Sequence, residues 1–342
     1  MDSVKPVRII IVGFGNMGRS LVRIISQKRK TIQSKHSIDI VVTGILDINY
    51  NLVDKTGKGL NIEEILALKK QDLVNKSEDL SYDEILQQVP SDIIVELTSS
   101  TPNGEPGLSN IQKAFQHKKH VVTSNKSPLV LNYHGLMDLA RQNGCRFRFE
   151  GTVGGVIPIF TAFQSGLSAN EILKIEGIFN GTTNYILTRM SEGLPYQQAL
   201  EGARKLGLCE TNPYDDISGL DAARKLVIVA NVLMDAHLTL DEVKMKGIEQ
   251  ITEDQIVEAT LNEQVIKQIA SVEAIDNGKF KATVEPKSID ISNPMAHVDG
   301  AMNAIQVFME YAGEVTLTGI GAGPKEVSSI VLSDILYIGA GL

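Results

Sequence analysis

The charged residues most suited to chemistry lie in residues 207–225. Asp221 and Lys225 are four residues apart, so a helix would place both on one face. Residues 226–234 are nearly all apolar, which is typical of a buried helix. We therefore predict that the charged first turn lines an interior cleft, where a desolvated lysine can donate a proton near neutral pH. The alternative is a surface ion pair of little energetic weight.

A glycine motif at residues 13–18 is the second functional feature of the sequence. It follows the β-branched run of residues 8–12 and precedes a helical pattern. In that position Gly13 permits a tight turn, Gly15 lets a pyrophosphate approach the backbone, and Gly18 lets helix and strand pack closely. We therefore predict dinucleotide binding at the helix N-terminus rather than an ordinary strand-to-helix turn.

Polar residues also follow two other predicted strands. Thr98 and Ser99 end one of them, and Ser124 and Lys126 end the next. Ligands bind at the carboxyl ends of strands in parallel sheets, so we expect these side chains at the cofactor site. Taken singly, each is better explained as a turn or helix-cap residue.

The type of nicotinamide cofactor stays open at this point. Asp47 ends the second predicted strand, where a carboxylate would accept the ribose 2′-hydroxyl of NAD and repel the 2′-phosphate of NADP. Lys55 and Lys58 follow, and either could reach that phosphate.

The turn at residues 180–184 offers small side chains and free amides that could hold a carboxylate, or it is simply a capped turn.

Alternating strands and helices up to residue 128 predict an α/β fold with a Rossmann-type, doubly wound parallel sheet. Gly151, Gly154 and Gly155 break this rhythm and indicate a linker to a second domain. A chain of 342 residues is long enough for two domains.

Composition excludes several classes of protein. The net charge of −8 argues against a nucleic-acid surface, and no stretch has the roughly 18 apolar residues of a membrane span. The first residues do not resemble a signal peptide, and two cysteines cannot form a disulfide framework. We therefore expect a cytoplasmic protein without nucleic-acid or membrane partners.

The ordered motifs together resemble the homoserine dehydrogenase family over almost the whole chain. Besides the glycine motif and residues 207–225, the resemblance rests on residues 125–129, 152–155, 177–185, 293–296 and 319–323. It implies reversible hydride transfer between NAD(P)H and aspartate 4-semialdehyde, which gives L-homoserine for threonine and methionine biosynthesis.

The resemblance also implies roles for individual residues. Lys225 would be the acid/base at the substrate oxygen, and Lys126 would lie between substrate and cofactor. The implied substrate-binding residues are Glu210, Asp221, Asp216, Gly181 and Thr182. The implied dinucleotide contacts are Phe14, Asn16, Met17, Thr98, Ser124, Gly207 and Gly323.

A sodium ion, a dimer and a discontinuous domain are further implications. The cation would bind Glu150 and the carbonyls of Val153, Gly155 and Ile157. Residues 1–149 and 311–342 would form the dinucleotide-binding domain. Residues 150–310 would form an α+β domain for substrate binding and homodimerisation.

Two other classes of protein remain as alternatives. An aspartate-semialdehyde dehydrogenase would need a nucleophilic cysteine paired with a histidine. Neither Cys145 nor Cys209 has a histidine close in sequence. A non-catalytic NAD-binding sensor would not require Glu210, Asp221 and Lys225 together.

Overall fold

The computed structural model describes residues 4–209, 212–275 and 278–342. Contacts divide the chain into two units, Met1–Thr152 with Pro324–Leu342, and Val153–Gly323. No helix among the described residues is long and apolar enough to cross a membrane.

The first unit contains a six-stranded sheet and the helices around it. Its strands are β1 (Lys5–Val12), β2 (Ile38–Asp47), β3 (Tyr50–Val53), β4 (Ile93–Glu96), β5 (His120–Thr123) and β6 (Phe147–Arg148). Its helices are α1 (Asn16–His36), α2 (Ile62–Ala67), α3 (Lys70–Asn75), α4 (Tyr82–Gln88), α5 (Gly107–Gln116), α6 (Lys126–Gln142) and the last helix of the chain (Pro324–Gly339). A 3₁₀ turn covers Glu150–Thr152.

The strand order in the first sheet is β3-β2-β1-β4-β5-β6. Five strands run parallel, which confirms the Rossmann-type prediction, and the edge strand β3 pairs antiparallel to β2. The chain reverses its direction of winding between β1 and β4, because β2 lies on one side of β1 and β4 on the other. Ligands bind at this kind of switch point.

Alternation along β1 explains how the sheet is covered. Val7, Ile9 and Ile11 belong to one core with residues of α1 and of the last helix, whereas the equally buried Ile10 points to the opposite face. β1 is therefore buried on both faces, as its β-branched sequence predicts.

The second unit contains another six-stranded sheet. Its strands are β7 (Ile172–Ile178), β8 (Lys244–Met245), β9 (Gln264–Ile275), β10 (Lys279–Asp290), β11 (Met302–Met309) and β12 (Gly313–Ile320). Its helices are α7 (Ile159–Thr161), α8 (Gly181–Ser191), α9 (Tyr196–Lys205), α10 (Tyr214–Ile217), α11 (Leu220–Met234) and α12 (Glu253–Leu261), so the last helix is α13. A short π-helix covers Ala162–Gly166, and 3₁₀ helices cover Leu240–Glu242 and Pro294–His297.

The strand order in the second sheet is β12-β11-β7-β9-β10-β8, and the pairs are antiparallel except β10 with β8. Helices α8, α11 and α12 pack against β9. The return to the first unit comes at Pro324 and not at residue 311, because β12 pairs with β11 along its whole length.

Candidate active site

The glycine motif forms the turn between β1 and α1. Gly13 has a φ of +95°, and a Cβ there would lie 2.7 Å from the carbonyl of Leu97. A Cβ on Gly18 would lie 2.5 Å from the Gly13 oxygen, so this position needs glycine for helix–strand packing. A Cβ on Gly15 would meet nothing within 4 Å. Gly15 therefore borders open space, as the prediction of a close approach by pyrophosphate requires.

This open space is a cleft of about 530 Å³ at the switch point of the first sheet. Five predicted cofactor-binding residues line it, and Asn110 of α5 contributes a further polar side chain. The five are Gly13, Gly15, Asp47, Thr98 and Ser99. The cleft therefore combines a glycine turn, a helix N-terminus and an acidic strand end, which is the arrangement that binds a dinucleotide.

The remaining predicted cofactor contacts of the first unit are Phe14, Asn16, Met17, Ser124 and Lys126. The Phe14 side chain is buried in the core, so what this residue offers near the cleft is backbone. Asn16 and Met17 begin α1, and Ser124 donates from Oγ to the Met17 sulfur at 3.0 Å. Lys126 begins α6, and its backbone N–H donates to the Ser100 hydroxyl.

Asp47 is held in place by the glycine turn. Its Oδ2 atom accepts the Phe14 N–H at 3.0 Å, which fixes the carboxyl group at the edge of the cleft. Lys55 forms an ion pair with Glu78 at 2.7 Å, and Lys58 lines a separate groove beside the middle of β2. Asp47 therefore borders the predicted ribose site. Lys55, by contrast, is paired with Glu78, and Lys58 lines a different groove.

A buried hydrogen-bond network beneath the cleft was missed from sequence. Glu96 at the end of β4 is fully buried, and it accepts the Thr98 N–H, the Thr98 hydroxyl and the Asn110 amide. The Asn125 amide donates to the same Thr98 hydroxyl at 3.2 Å. Burial raises the pKa of Glu96, and the bonds from Thr98 and Asn110 oppose this shift. The network fixes two cleft-lining residues on a single carboxyl group.

In the second unit, Lys225 lies in the first turns of α11 as predicted. Its Nζ atom is 2.7 Å from Asp221 Oδ2 and donates to the Phe179 carbonyl at 2.6 Å. The side chains of Lys225 and Asp221 are only 11% and 12% exposed, so this is not a surface pair. By contrast, the neighbouring pair of Arg224 and Asp215 is largely exposed on its acidic side.

Asn180 joins a second acid to this group. Its Nδ2 atom donates to Asp216 Oδ1 at 2.7 Å and to Asp221 Oδ2 at 3.0 Å. Its Oδ1 atom accepts the Thr183 N–H and so caps α8. One buried amide therefore fixes two carboxylates beside the Lys225 ammonium, close to the start of a helix. From sequence, Asn180 belongs to a turn that either holds a carboxylate or is simply capped, and no role in fixing two acids is indicated.

The remaining predicted substrate residues surround the start of α8. Gly181 has no room for a side chain, because a Cβ would lie 2.7 Å from the Ala301 oxygen. The Thr182 hydroxyl donates to the Leu208 carbonyl, which connects α8 to the segment before Glu210. Glu210 itself lies outside the described residues.

The two glycines predicted to contact the cofactor from the second unit both have positive φ. Gly207 follows α9 with a φ of +70°. Gly323 lies between β12 and α13 with a φ of +131°. Both backbone conformations favour glycine.

The residues predicted to bind sodium fall in both units. Glu150 is buried in the first unit, where Asp334 accepts its N–H at 2.9 Å and Arg148 lies between the two acids. Burial raises the pKa of Asp334 to about 6, and Arg148 opposes this shift. In the second unit, Val153, Gly155 and Ile157 belong to one tight turn.

Glycine is required in that turn at two positions. Gly154 and Gly155 have φ values of +76° and +62°, and a Cβ on Gly155 would lie 2.2 Å from the Ile320 oxygen. Val156 has no positive φ, so the turn accepts a valine. Backbone carbonyls are suitable ligands for a hard cation. The Ile157 carbonyl, however, already accepts the Ile159 N–H.

Comparison with known proteins decides the family. A model described as "Homoserine dehydrogenase" matches residues 158–336, and one described as "Homoserine dehydrogenase, NAD binding domain" matches residues 13–150. The homoserine dehydrogenase of Methanocaldococcus jannaschii is 38% identical over 96% of this chain and 98% of its own length. The chain belongs to the homoserine dehydrogenase family. It is thus related to NAD(P)-dependent oxidoreductases that act on a CH–OH group.

Further homoserine dehydrogenases agree in sequence and in structure. An NAD(+)-dependent homoserine dehydrogenase of Pseudomonas canavaninivorans is 33% identical over 97% of this chain and 96% of its own length. The crystal structure of homoserine dehydrogenase from Thermoplasma acidophilum has a TM-score of 0.81 at 28% identity and covers 98% of this chain and 99% of its own. A Staphylococcus aureus homoserine dehydrogenase has a TM-score of 0.80 at 33% identity and covers 99% and 77%. Crystal structures of homoserine dehydrogenases therefore match both units of the chain.

Proposed function

We propose that the chain interconverts L-homoserine and L-aspartate 4-semialdehyde reversibly with NAD, as a step of threonine and methionine biosynthesis, and that Lys225 moves the proton. The observation that carries the assignment of Lys225 is its placement: a largely buried ammonium group held by the Asp221 carboxylate and the Phe179 carbonyl. When bound, the dinucleotide supplies or accepts the hydride. A group next to the reacting oxygen must then supply or accept a proton.

Lys225 suits this task in both directions. During reduction the substrate carbonyl oxygen gains negative charge, and the ammonium group stabilises that charge and then donates its proton. During oxidation the neutral amine accepts the hydroxyl proton of homoserine. Asp221 and the Phe179 carbonyl keep the nitrogen in one place throughout, so that orientation does not have to be re-established in each turnover.

We further propose that the surrounding groups hold the amino-acid end of the substrate. Asp221, Asp216 and Glu210 would attract its ammonium group. The N–H groups of Gly181 and Thr182 lie in the first turn of α8, where N–H groups have no partner within the helix, and they would bind its carboxylate. Lys126 would contact both substrate and cofactor from the start of α6.

For the cofactor we propose a preference for NAD, with weaker use of NADP. The first unit matches an NAD-binding domain, and the fixed Asp47 carboxylate would accept a ribose hydroxyl and repel a 2′-phosphate. The ion pair of Lys55 with Glu78 reduces its availability to that phosphate. Phe14, Asn16, Met17, Ser124, Gly207 and Gly323 are proposed as further contacts.

We also propose a sodium site, a cytoplasmic location and a homodimer. Sodium would bind Glu150 and the carbonyls named above. A cytoplasmic location would agree with the composition. A homodimer would cover Val257 and Leu261, which are 57% and 80% exposed one helical turn apart on α12 of the second unit.

An acyl-enzyme mechanism is a poorer explanation of this site. Burial raises the pKa of both the Cys145 and the Cys209 thiol, which disfavours the thiolate that such a mechanism needs.

The test of the proposed function is to mix purified protein with L-homoserine and NAD⁺ in phosphate-free buffer and to follow NADH formation. We expect turnover without phosphate and an aldehyde product that a hydrazine traps. NADH formation from aspartate semialdehyde that required phosphate would contradict the proposal.

A further inference from the structure

Asn303 is a fully buried amide at the start of β11. Its Nδ2 atom donates to the Phe179 carbonyl at 3.1 Å. The same carbonyl accepts the hydrogen bond from Lys225 Nζ at 2.6 Å. Asn303 and Lys225 are therefore joined through one backbone oxygen.

We propose that Asn303 is a positioning residue for the reaction: it fixes the direction of the Phe179 carbonyl and thereby the place where the Lys225 ammonium group rests. The inference depends on the proposed function, because it assumes that Lys225 moves the proton. Asn303 need not touch the substrate.

The register of the second sheet shows why side chains, and not the strand ladder, bind the Phe179 carbonyl. The ladder between β11 and β7 ends at the pair Ala304–Ile178. Phe179 lies one residue beyond that pair, so its carbonyl receives no hydrogen bond from the ladder. With Asn303 the carbonyl has two side-chain donors, Lys225 and Asn303, and the second donor restricts the rotation of its plane. The side chain of Asn303, one residue before Ala304, donates from where the ladder would otherwise continue.

The other side of the amide is confined by glycine. A Cβ on Gly321 would lie 2.1 Å from Asn303 Oδ1, so the backbone after β12 passes directly over this side chain. Because Nδ2 donates to the Phe179 carbonyl, Oδ1 is the atom that faces Gly321. The proposal thus accounts for the glycine at position 321, two residues before the predicted cofactor contact Gly323. The amide has little freedom to move away from Phe179.

Asp221 and the Phe179 carbonyl are two of the groups that position the Lys225 nitrogen. Asp221 holds it from the same helix, and the Phe179 carbonyl holds it from the end of β7. The nearby acid Asp216 reaches Asp221 through Asn180. A turned Phe179 carbonyl would leave Asp221 as the stronger anchor and would draw the ammonium group toward it. Displacement of a reacting group by about 1 Å can lower a rate about 100-fold.

The test compares Asn303→Asp with the matched control Asn231→Asp. Asn231 is also a buried amide that donates to a backbone carbonyl, that of Leu238, and it lies on the same helix as Lys225. Asn303→Asp preserves shape but places an acceptor against the Phe179 oxygen. We expect kcat for homoserine oxidation to fall about 10- to 100-fold with KM values within about threefold. Asn231→Asp should change kcat less than about threefold.

A pH profile separates positioning from general damage to the fold. In Asn303→Asp the Phe179 carbonyl loses the hydrogen bond from residue 303 and keeps the one from Lys225, and a carboxylate is added nearby. Both changes stabilise the ammonium form of Lys225. The midpoint of the rise of kcat with pH in homoserine oxidation should therefore move to higher pH, whereas the control keeps its midpoint. Should Asn303→Asp not fold, Asn303→Ala removes the same donor without adding charge, and the fall in kcat is expected there.

The outcomes distinguish this inference from the proposed function. An inactive Lys225→Ala enzyme together with wild-type kcat and pH profile in Asn303→Asp or Asn303→Ala would overturn the positioning role alone. A fully active Lys225→Ala enzyme would overturn the acid/base role and this inference with it.

Discussion

Replacing Asp221 by asparagine removes one charge from an ion pair that is almost closed to water. At 2.7 Å and an effective dielectric constant of about 20, the Coulomb attraction is about 6 kcal/mol before any desolvation cost is subtracted. Breaking a buried pair typically costs about 3–5 kcal/mol, because an unpaired charge is left behind. The Phe179 carbonyl still serves Lys225, and both side chains keep some exposure. We therefore expect Asp221→Asn to lower the free energy of unfolding by about 3 kcal/mol.

The assay is urea unfolding followed by far-UV circular dichroism, evaluated in the transition that includes the second unit. Asp215→Asn is the matched control, since its partner Arg224 is on the same helix but Asp215 is 56% exposed. It should cost less than about 1 kcal/mol. In the double variant with Lys225→Met the loss should be about 2 kcal/mol smaller than the sum of the single losses. Equal losses for Asp221→Asn and Asp215→Asn would refute the account of a buried pair.

Three further predictions concern the first unit. Gly15→Val should abolish NADH binding, measured by fluorescence titration, while the thermal unfolding temperature stays unchanged, because its side chain would enter empty space; retained affinity would contradict the dinucleotide site. Asp47→Ser should lower the NAD-to-NADP ratio of kcat/KM about 10-fold, since a charge-assisted bond to the ribose is lost; an unchanged ratio would exclude Asp47 from cofactor selection. Burial raises the pKa of Glu96, so the folded state keeps a proton that the unfolded state has lost, and stability falls as pH rises through that pKa. In Glu96→Gln the fall should disappear from urea unfolding measured across the acidic range, whereas a persisting fall would assign it to other groups.

Local patterns were sufficient to predict much of the molecule. The glycine motif lies between strand and helix, and the spacing of Asp221 and Lys225 does place both on one helix face. These features depend on neighbours within a few residues, and for such neighbours helix and strand geometry is decisive.

Features that depend on strand register were not predictable in the same way. Asn303 meets Phe179 across a separation of 124 residues, which only the pairing of β11 with β7 determines. Glu96 ends a strand whose other residues are apolar, and nothing local in the sequence indicates that its carboxyl group organises Thr98 and Asn110. β12 joins the second sheet through a hairpin with β11, and β11 belongs to that sheet through its long-range pairing with β7.

The most direct test of the account is kcat for homoserine oxidation by Lys225→Ala beside the control Lys174→Ala. Lys174 also forms an ion pair in the second unit, with Glu176 at 2.9 Å on β7, but it is not part of the proposed site. We predict that Lys225→Ala lowers kcat about 100- to 10,000-fold with NADH affinity near wild type, and that Lys174→Ala stays within about twofold. A Lys225→Ala enzyme that kept half of its kcat would contradict the acid/base assignment and make Lys126 the next candidate.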